Sequence, residues 1–224
     1  MNKKKTITVK ANKKGRHIMP LLNFVRIIVI PFYYLLKPYR FYGKRKVKDG
    51  ACIYISNHFG MFDPVYAAST TWEGIHFVAK KEAFKIPVIG SVLRRIKAIS
   101  VNRDGNDVRG LLDCLKCLKN GEKVCIYPEG TRNKTGGEML PFRSGAAAMA
   151  IKTKTPIIPI VMYKKPKLFR CTHILIGDPF ELSEHYDKKM SDEEFKAVDE
   201  SLRQHMLSMI QKHTEFLALK KKKA

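Results

Sequence analysis

Short apolar runs alternate with amphipathic stretches through the body of the chain. Residues 51–56, 75–79, 98–101, 123–127, 157–162 and 173–176 are compact, largely unbroken apolar segments of strand length. Between them, 64–70, 88–96, 107–119 and 144–152 carry helical spacing, the third ending at Asn120-Gly121 as a helix stop should. Alternation on this scale predicts an α/β fold: a sandwich whose largely parallel central sheet is flanked by helices. In such sheets ligands gather at the carboxyl ends of the strands. From Ser191 a capping box with Glu194 opens a further helix, with Phe195, Val198, Leu202, Met206, Met209, Ile210 and Leu217 on one stripe, which predicts a helix packed on the domain.

Residues 18–36 are strongly apolar but interrupted by Pro20, Asn23, Arg26 and Pro31. A spanning helix needs about twenty apolar residues, and an arginine at its centre costs about 2.5–3.5 kcal/mol on insertion scales. Embedding in one leaflet fits better, with Arg26 reaching headgroups and Tyr33, Tyr34, Tyr39 and Tyr42 at the interface. The expected organisation is a basic tail over 1–17, a membrane-associated helical segment over 18–42, one domain over 43–219 and a second basic tail over 220–224. Lys37-Pro38-Tyr39-Arg40 offers no small-residue cleavage site, so a removable signal peptide is not expected.

Charge changes the picture in one respect. The 224 residues carry a formal net charge of +23, and the two tails hold eleven positive charges and no acid. Such a field attracts any polyanion. The chain has no zinc-finger spacing, repeat or RNA-binding aromatic signature, so a lipid surface is the expected partner and nucleic acid is not. The five cysteines are scattered among apolar runs; Cys114 and Cys117 share a helical pattern and no second pair completes a metal site. Reduced thiols on the cytoplasmic side are expected, with no metal and no bound cofactor.

Two motifs carry candidate chemistry. In Asn57-His58-Phe59-Gly60-Met61-Phe62-Asp63 the histidine and aspartate can meet only if the chain turns between them, a turn Gly60 offers. Asp63-Pro64 then reads as a helix start with Asp63 as N-cap, and the carboxylate reaches back to one imidazole nitrogen while the other accepts a proton. The alternative is a packed loop histidine beside a plain cap. In Tyr127-Pro128-Glu129-Gly130-Thr131-Arg132, a strand delivers backbone N–H groups, a hydroxyl and a guanidinium into one turn. Arg132 can bind phosphate through two parallel hydrogen bonds, and Gly130 permits close approach. Glu129 fits a phosphate site poorly, so it orients Arg132 or bonds a substrate hydroxyl. The alternative is a surface turn with a solvated arginine.

Together, in this order and separation, the motifs resemble the 1-acyl-sn-glycerol-3-phosphate acyltransferase family of glycerolipid acyltransferases. The resemblance runs from about Tyr42 to Met162 and includes two weaker blocks, Lys97 to Arg103 and Pro156 to Val161. Phe59 and Gly60 stand where the family often has a polar residue and serine, and Lys97 where glycine is usual. The resemblance implies transfer of a fatty acyl group from acyl-coenzyme A or an acyl carrier protein thioester to the sn-2 hydroxyl of lysophosphatidate, giving phosphatidate. His58 and Asp63 would be catalytic. Glu129, Gly130, Thr131, Arg132 and Arg103 would bind the phosphorylated acceptor, and Lys80 and Lys81 the developing oxyanion. Phe59, Met61, Phe62 and Phe84 are candidates for an acyl-chain groove. Glycerol-3-phosphate or another lysophospholipid remains open as acceptor. A non-catalytic basic module bound to membranes or nucleic acid is the rival of another class.

Overall fold

The computed structural model describes residues 23–44, 50–102, 108–143 and 145–222. A π-helical turn, Val25–Val29, runs into α1 (Ile30–Leu36), then β1 (Tyr39–Tyr42) and β2 (Cys52–Ser56). There follow α2 (Asp63–Ala68), β3 (Ile75–Lys80), a 3-10 turn Lys81–Lys85, α3 (Pro87–Arg95), β4 (Ile99–Val101) and α4 (Val108–Lys119). The chain continues through β5 (Lys123–Ile126), α5 (Ala146–Thr153), β6 (Ile157–Met162), β7 (Thr172–Ile176) and the long α6 (Asp192–Lys222). The seven strands form one sheet in the order β1-β7-β6-β2-β5-β3-β4, with only the β6–β7 pair antiparallel. The expected α/β sandwich with a largely parallel sheet is therefore present.

Two cores follow from the two faces. β2 alternates Tyr54 into one cluster, with Val65, Tyr66, Phe77 and Ile158, and Ile53 and Ile55 into the other, with Val124, Met149, Leu202 and Met206. Both faces of a parallel strand are covered, so Cys52–Ser56 is buried at every position, as its continuous apolar run predicts. α6 closes the second face through Val198, Leu202 and Met206. Its capping box forms reciprocally: Ser191 N donates to Glu194 Oε2 at 2.7 Å, and Glu194 N donates to Ser191 Oγ at 3.2 Å. The helix continues through Lys222, so residues 220–222 of the expected tail are helical.

The N-terminal region departs from its sequence reading. Tyr39–Tyr42, expected within the helical segment, is an edge strand running parallel to β7. Three of the four tyrosines are packing residues rather than interfacial ones. Tyr33 is buried and its hydroxyl lies 3.3 Å from that of Tyr66; Tyr39 Oη donates to Ser69 Oγ at 2.9 Å; Tyr42 packs on His173 and His213. Only Tyr34 is exposed among the four. Arg26 does not reach outward either. It is buried, donating to Ala68 O at 3.1 Å, Trp72 O at 2.9 Å and Glu73 O at 2.5 Å, where the last carbonyls of α2 and the turn after it need donors. Burial lowers its pKa to about 10. Among the described residues no helix is long and apolar enough to cross a membrane. The basic tail over 1–17 and residues 18–22 lie outside the described residues.

Candidate active site

β2 and β5 are parallel neighbours, with Ile55 opposite Ile126. The loops that follow them therefore leave the sheet side by side at its carboxyl edge, the topological position where such folds build sites. Asn57 fixes the first loop: its amide donates to Met162 O at 2.9 Å and accepts from Met162 N at 2.8 Å, extending the β2–β6 pairing with a side chain. The motif gave no sign of this role.

His58 Nδ1 lies 2.8 Å from Asp63 Oδ2. A carboxylate only accepts, so Nδ1 carries the proton and Nε2 is left with its lone pair. The same Oδ2 accepts from the backbone of Phe59 at 2.6 Å and Gly60 at 2.7 Å. Asp63 is 3% exposed while the His58 side chain keeps 15% exposure: the orienting acid is sealed and the base remains reachable. The imidazole stacks on Tyr127 with centroids 4.3 Å apart and planes at 29°.

Two details differ from the sequence reading. Asp63 lies inside the first turn of α2, with Phe62 at the N-cap, and its carboxylate turns back to the loop instead of capping the helix. Gly60 supplies no positive φ; the turn uses ordinary backbone, and a Cβ there would meet only Asp63 Oδ1 at 3.5 Å. The position can therefore hold a serine.

Glu129 joins the two loops. It is 2% exposed; one oxygen accepts His58 N at 2.7 Å and the other Leu140 N at 3.0 Å. Burial raises its pKa, against the two backbone donors and the nearby His58, which lower it. Its carboxylate is thus committed to the scaffold under the histidine rather than to Arg132. Asn133 N donates to His58 O at 2.7 Å, tying the loops a second time. Thr131 and Arg132 are exposed on the turn between. Gly130 sits at φ 66°, and a Cβ there would come within 2.5 Å of Arg143 Cδ. Arg143 is a cation at this edge that the motifs did not single out. The signal was only its place in Phe142-Arg143, fourteen residues after Glu129.

Lys80 and Lys81 end β3 and open the following turn; Lys80 is half exposed and lies 3.5 Å from Glu82. Arg103 lies outside the described residues. A cavity of ≈ 520 Å³ opens beside the site, its lining including Tyr127, Gly130, Arg143, Leu111, Met149 and Phe195. Phe59, Met61, Phe62 and Phe84 do not line it. Phe59 is buried in the first core, and Met61 and Phe62 are exposed.

Residues 38–163 match the acyltransferase family model. This chain belongs to the acyltransferase family. It is 33% identical over 141 residues to a 1-acyl-sn-glycerol-3-phosphate acyltransferase of Bacillus subtilis, covering 59% of this chain and 67% of that one. It is 36% identical over 124 residues to the chloroplastic 1-acyl-sn-glycerol-3-phosphate acyltransferase BAT2 of Brassica napus, covering 54% of this chain and 35% of that one. The chain spans between about a third and a half of the length of several such relatives, 52% for the Helicobacter pylori enzyme. The fold resembles that of the crystal structure of the 1-acyl-sn-glycerophosphate (LPA) acyltransferase PlsC from Thermotoga maritima. The TM-score is 0.65 at 23% identity, covering 85% of this chain and 79% of that one. As an acyltransferase-family chain, it carries His58, Asp63 and residues 127–132 inside the matched region.

Proposed function

We propose that this protein is a 1-acyl-sn-glycerol-3-phosphate O-acyltransferase, moving a fatty acyl group from a thioester to the sn-2 hydroxyl of lysophosphatidate. The observation that carries the reading is the accessible imidazole held at 2.8 Å by a sealed carboxylate. His58 Nε2 takes the proton of the sn-2 hydroxyl as its oxygen attacks the thioester carbonyl. The tetrahedral intermediate collapses, the C–S bond breaks, and the proton passes from the imidazolium to the departing thiolate. Asp63 stabilises the imidazolium without being protonated, the histidine–carboxylate half of a triad with substrate alcohol in place of serine. A good leaving group and a supplied base mean that no metal enters these steps.

Thr131 and Arg132 face solvent beside this base and suit the acceptor's phosphate, with Arg143 as a further cation across Gly130. The apolar cavity suits the acyl chain of the donor, carried by coenzyme A or by acyl carrier protein. Exposed Phe24, Ile27, Ile28, Phe32 and Leu35 form the apolar side of the N-terminal helix, and Phe62 on the His58 loop packs 5.8 Å from the Tyr33 ring. This face suits a membrane phospholipid surface, and free cysteines suit its cytoplasmic side.

The test is thiol release from acyl-coenzyme A by the full chain with lysophosphatidate in detergent micelles, repeated with acyl carrier protein thioesters. Release that needs the acceptor and disappears in His58→Ala is expected. Release that persists in the variant removes His58 as the base, and none with either donor removes the acyltransferase reading.

A further inference from the structure

At the amino end of the sheet, away from His58, three side chains from separate elements converge. His76 is the second residue of β3, Cys117 lies in the last turn of α4, and Glu122 immediately precedes β5. Their nitrogen, sulfur and oxygen atoms all lie within 4.8 Å of one another. His76 is buried and the other two are half-buried. The turn after α4 joins Cys117 and Glu122 locally, with Glu122 N donating to Cys117 O at 3.0 Å, and the parallel pairing of β3 with β5, which sets Ile75 opposite Lys123, brings His76 to them.

The ring of His76 is oriented from behind. Nδ1 lies 2.8 Å from the carbonyl of Lys97, a residue held at φ 53° just after α3. A carbonyl only accepts, so Nδ1 carries the proton, the arrangement that frees the other nitrogen of a histidine to act as a ligand. Nε2 then points at Glu122 Oε2, 3.2 Å away. A lone pair and a carboxylate at that distance need a positive centre between them: a second ring proton or a metal ion.

We propose that His76, Cys117 and Glu122 form a binding site for a divalent transition metal ion of the zinc class. Imidazole, thiolate and carboxylate are a three-ligand set of the kind zinc accepts, and sulfur and nitrogen select against magnesium and calcium. On binding, the Cys117 thiol gives its proton to solvent, and the resulting thiolate and carboxylate together balance the charge of the ion. A water completes the tetrahedron. The ion joins the start of β3, the end of α4 and the start of β5, so it staples the sheet at the end opposite the candidate active site and takes no part in acyl transfer.

Full-length protein, reduced and stripped of metal with a chelator, is titrated with cobalt(II) alone and then with zinc. Far-ultraviolet circular dichroism first checks that each variant is folded. The expected result is a thiolate-to-cobalt charge-transfer band with tetrahedral visible bands, saturating at one equivalent and displaced by zinc. Cys117→Ser abolishes the charge-transfer band. Cys171→Ser, which removes the exposed thiol two residues before His173, leaves it intact. Glu122→Gln weakens cobalt binding by roughly tenfold or more, since even outer-shell partners of metal ligands are worth that much. The proposal is overturned by folded wild type that gives no charge-transfer band, or by a band that follows Cys171. If Cys117→Ser does not fold, unchanged cobalt affinity in Glu122→Gln overturns it.

Discussion

The loop after β2 and the loop after β5 leave neighbouring strands at the same height, yet they are built oppositely. In the first, one buried oxygen of Asp63 gathers two backbone N–H groups and the imidazole, so the histidine is set by a rigid local knot. In the second, the buried acid faces away from its own loop: Glu129 accepts from His58 N and Leu140 N, leaving Thr131 and Arg132 exposed. One loop fixes a chemical group, and the other fixes its neighbour while presenting its own polar side chains to a ligand. Preorganised geometry belongs where protons move, and reach belongs where a phosphate must be caught.

Substitutions should separate the loops accordingly. The largest effect is expected for Asp63→Asn, which turns an amide toward Nδ1–H and removes the shared acceptor. Turnover should fall roughly 10²–10⁴-fold, the range for positioned acid–base groups, with the Michaelis constant for the acceptor little changed. Steady-state kinetics would read the split; equal loss in both constants would dissolve the distinction between the loops. Next is Glu129→Ala, which strands two buried N–H donors at about 1–3 kcal/mol each. Denaturant unfolding should show a loss of about 2–5 kcal/mol with falling turnover, and a stability unchanged from wild type would make the clamp irrelevant. Arg132→Ala should raise the Michaelis constant for the phosphorylated acceptor by about tenfold or more, from a charged hydrogen bond of about 1.5–3 kcal/mol, without moving the melting temperature. Gly60→Ser should be almost neutral, within about 0.5 kcal/mol, whereas Gly130→Ala meets both a left-handed backbone and Arg143.

A last test sharpens the comparison by moving outside both loops. Asp199 on α6 is a third buried acid that accepts backbone N–H groups, from Gly145 at 3.3 Å and Ala147 at 3.0 Å, at the start of α5. Burial raises it from 3.8 to about 6 despite those bonds. Between these values the folded state binds more protons than the unfolded one, so this group's contribution to stability falls as pH rises. Asp199→Asn, whose single carbonyl oxygen can serve only one of the two N–H donors, should lose this pH dependence, a swing of less than about 3 kcal/mol at about 1.4 kcal/mol per unit. Thermal melts should show wild type gaining stability relative to the variant as pH falls through about 6 toward 3.8.

Continuous apolar runs made β2, β3, β5 and β6 legible, since strands buried on both faces carry a signal in every residue. The pattern failed at β1. Tyr-Arg-Phe-Tyr looks interfacial because aromatic rings with polar tips suit a membrane boundary and a mixed core equally, and only the partners Tyr66, Ser69 and His213 decide. Arg26 failed for a related reason: a charge in an apolar run reads as outward-reaching unless carbonyls from 42 to 47 residues away are waiting for it. His58 and Asp63 could be paired from spacing because the contact is local. The partners of Glu129 could not, since one lies 71 residues back. Lys97 shows a departure explained after the fact: at φ 53° the backbone there is one that glycine adopts freely and lysine tolerates.

The Asn57 amide closes onto Met162 across 105 residues of chain. Until β6 has been synthesised and docked, the side chain of the residue before His58 lacks this anchor, and β2 presents an open edge. During translation this anchor of the histidine loop thus forms only after the crossovers that parallel strands demand and that slow folding. A nascent chain halted before Met162 carries the whole histidine motif and the whole glutamate motif, but lacks the anchor that ties the histidine loop to β6.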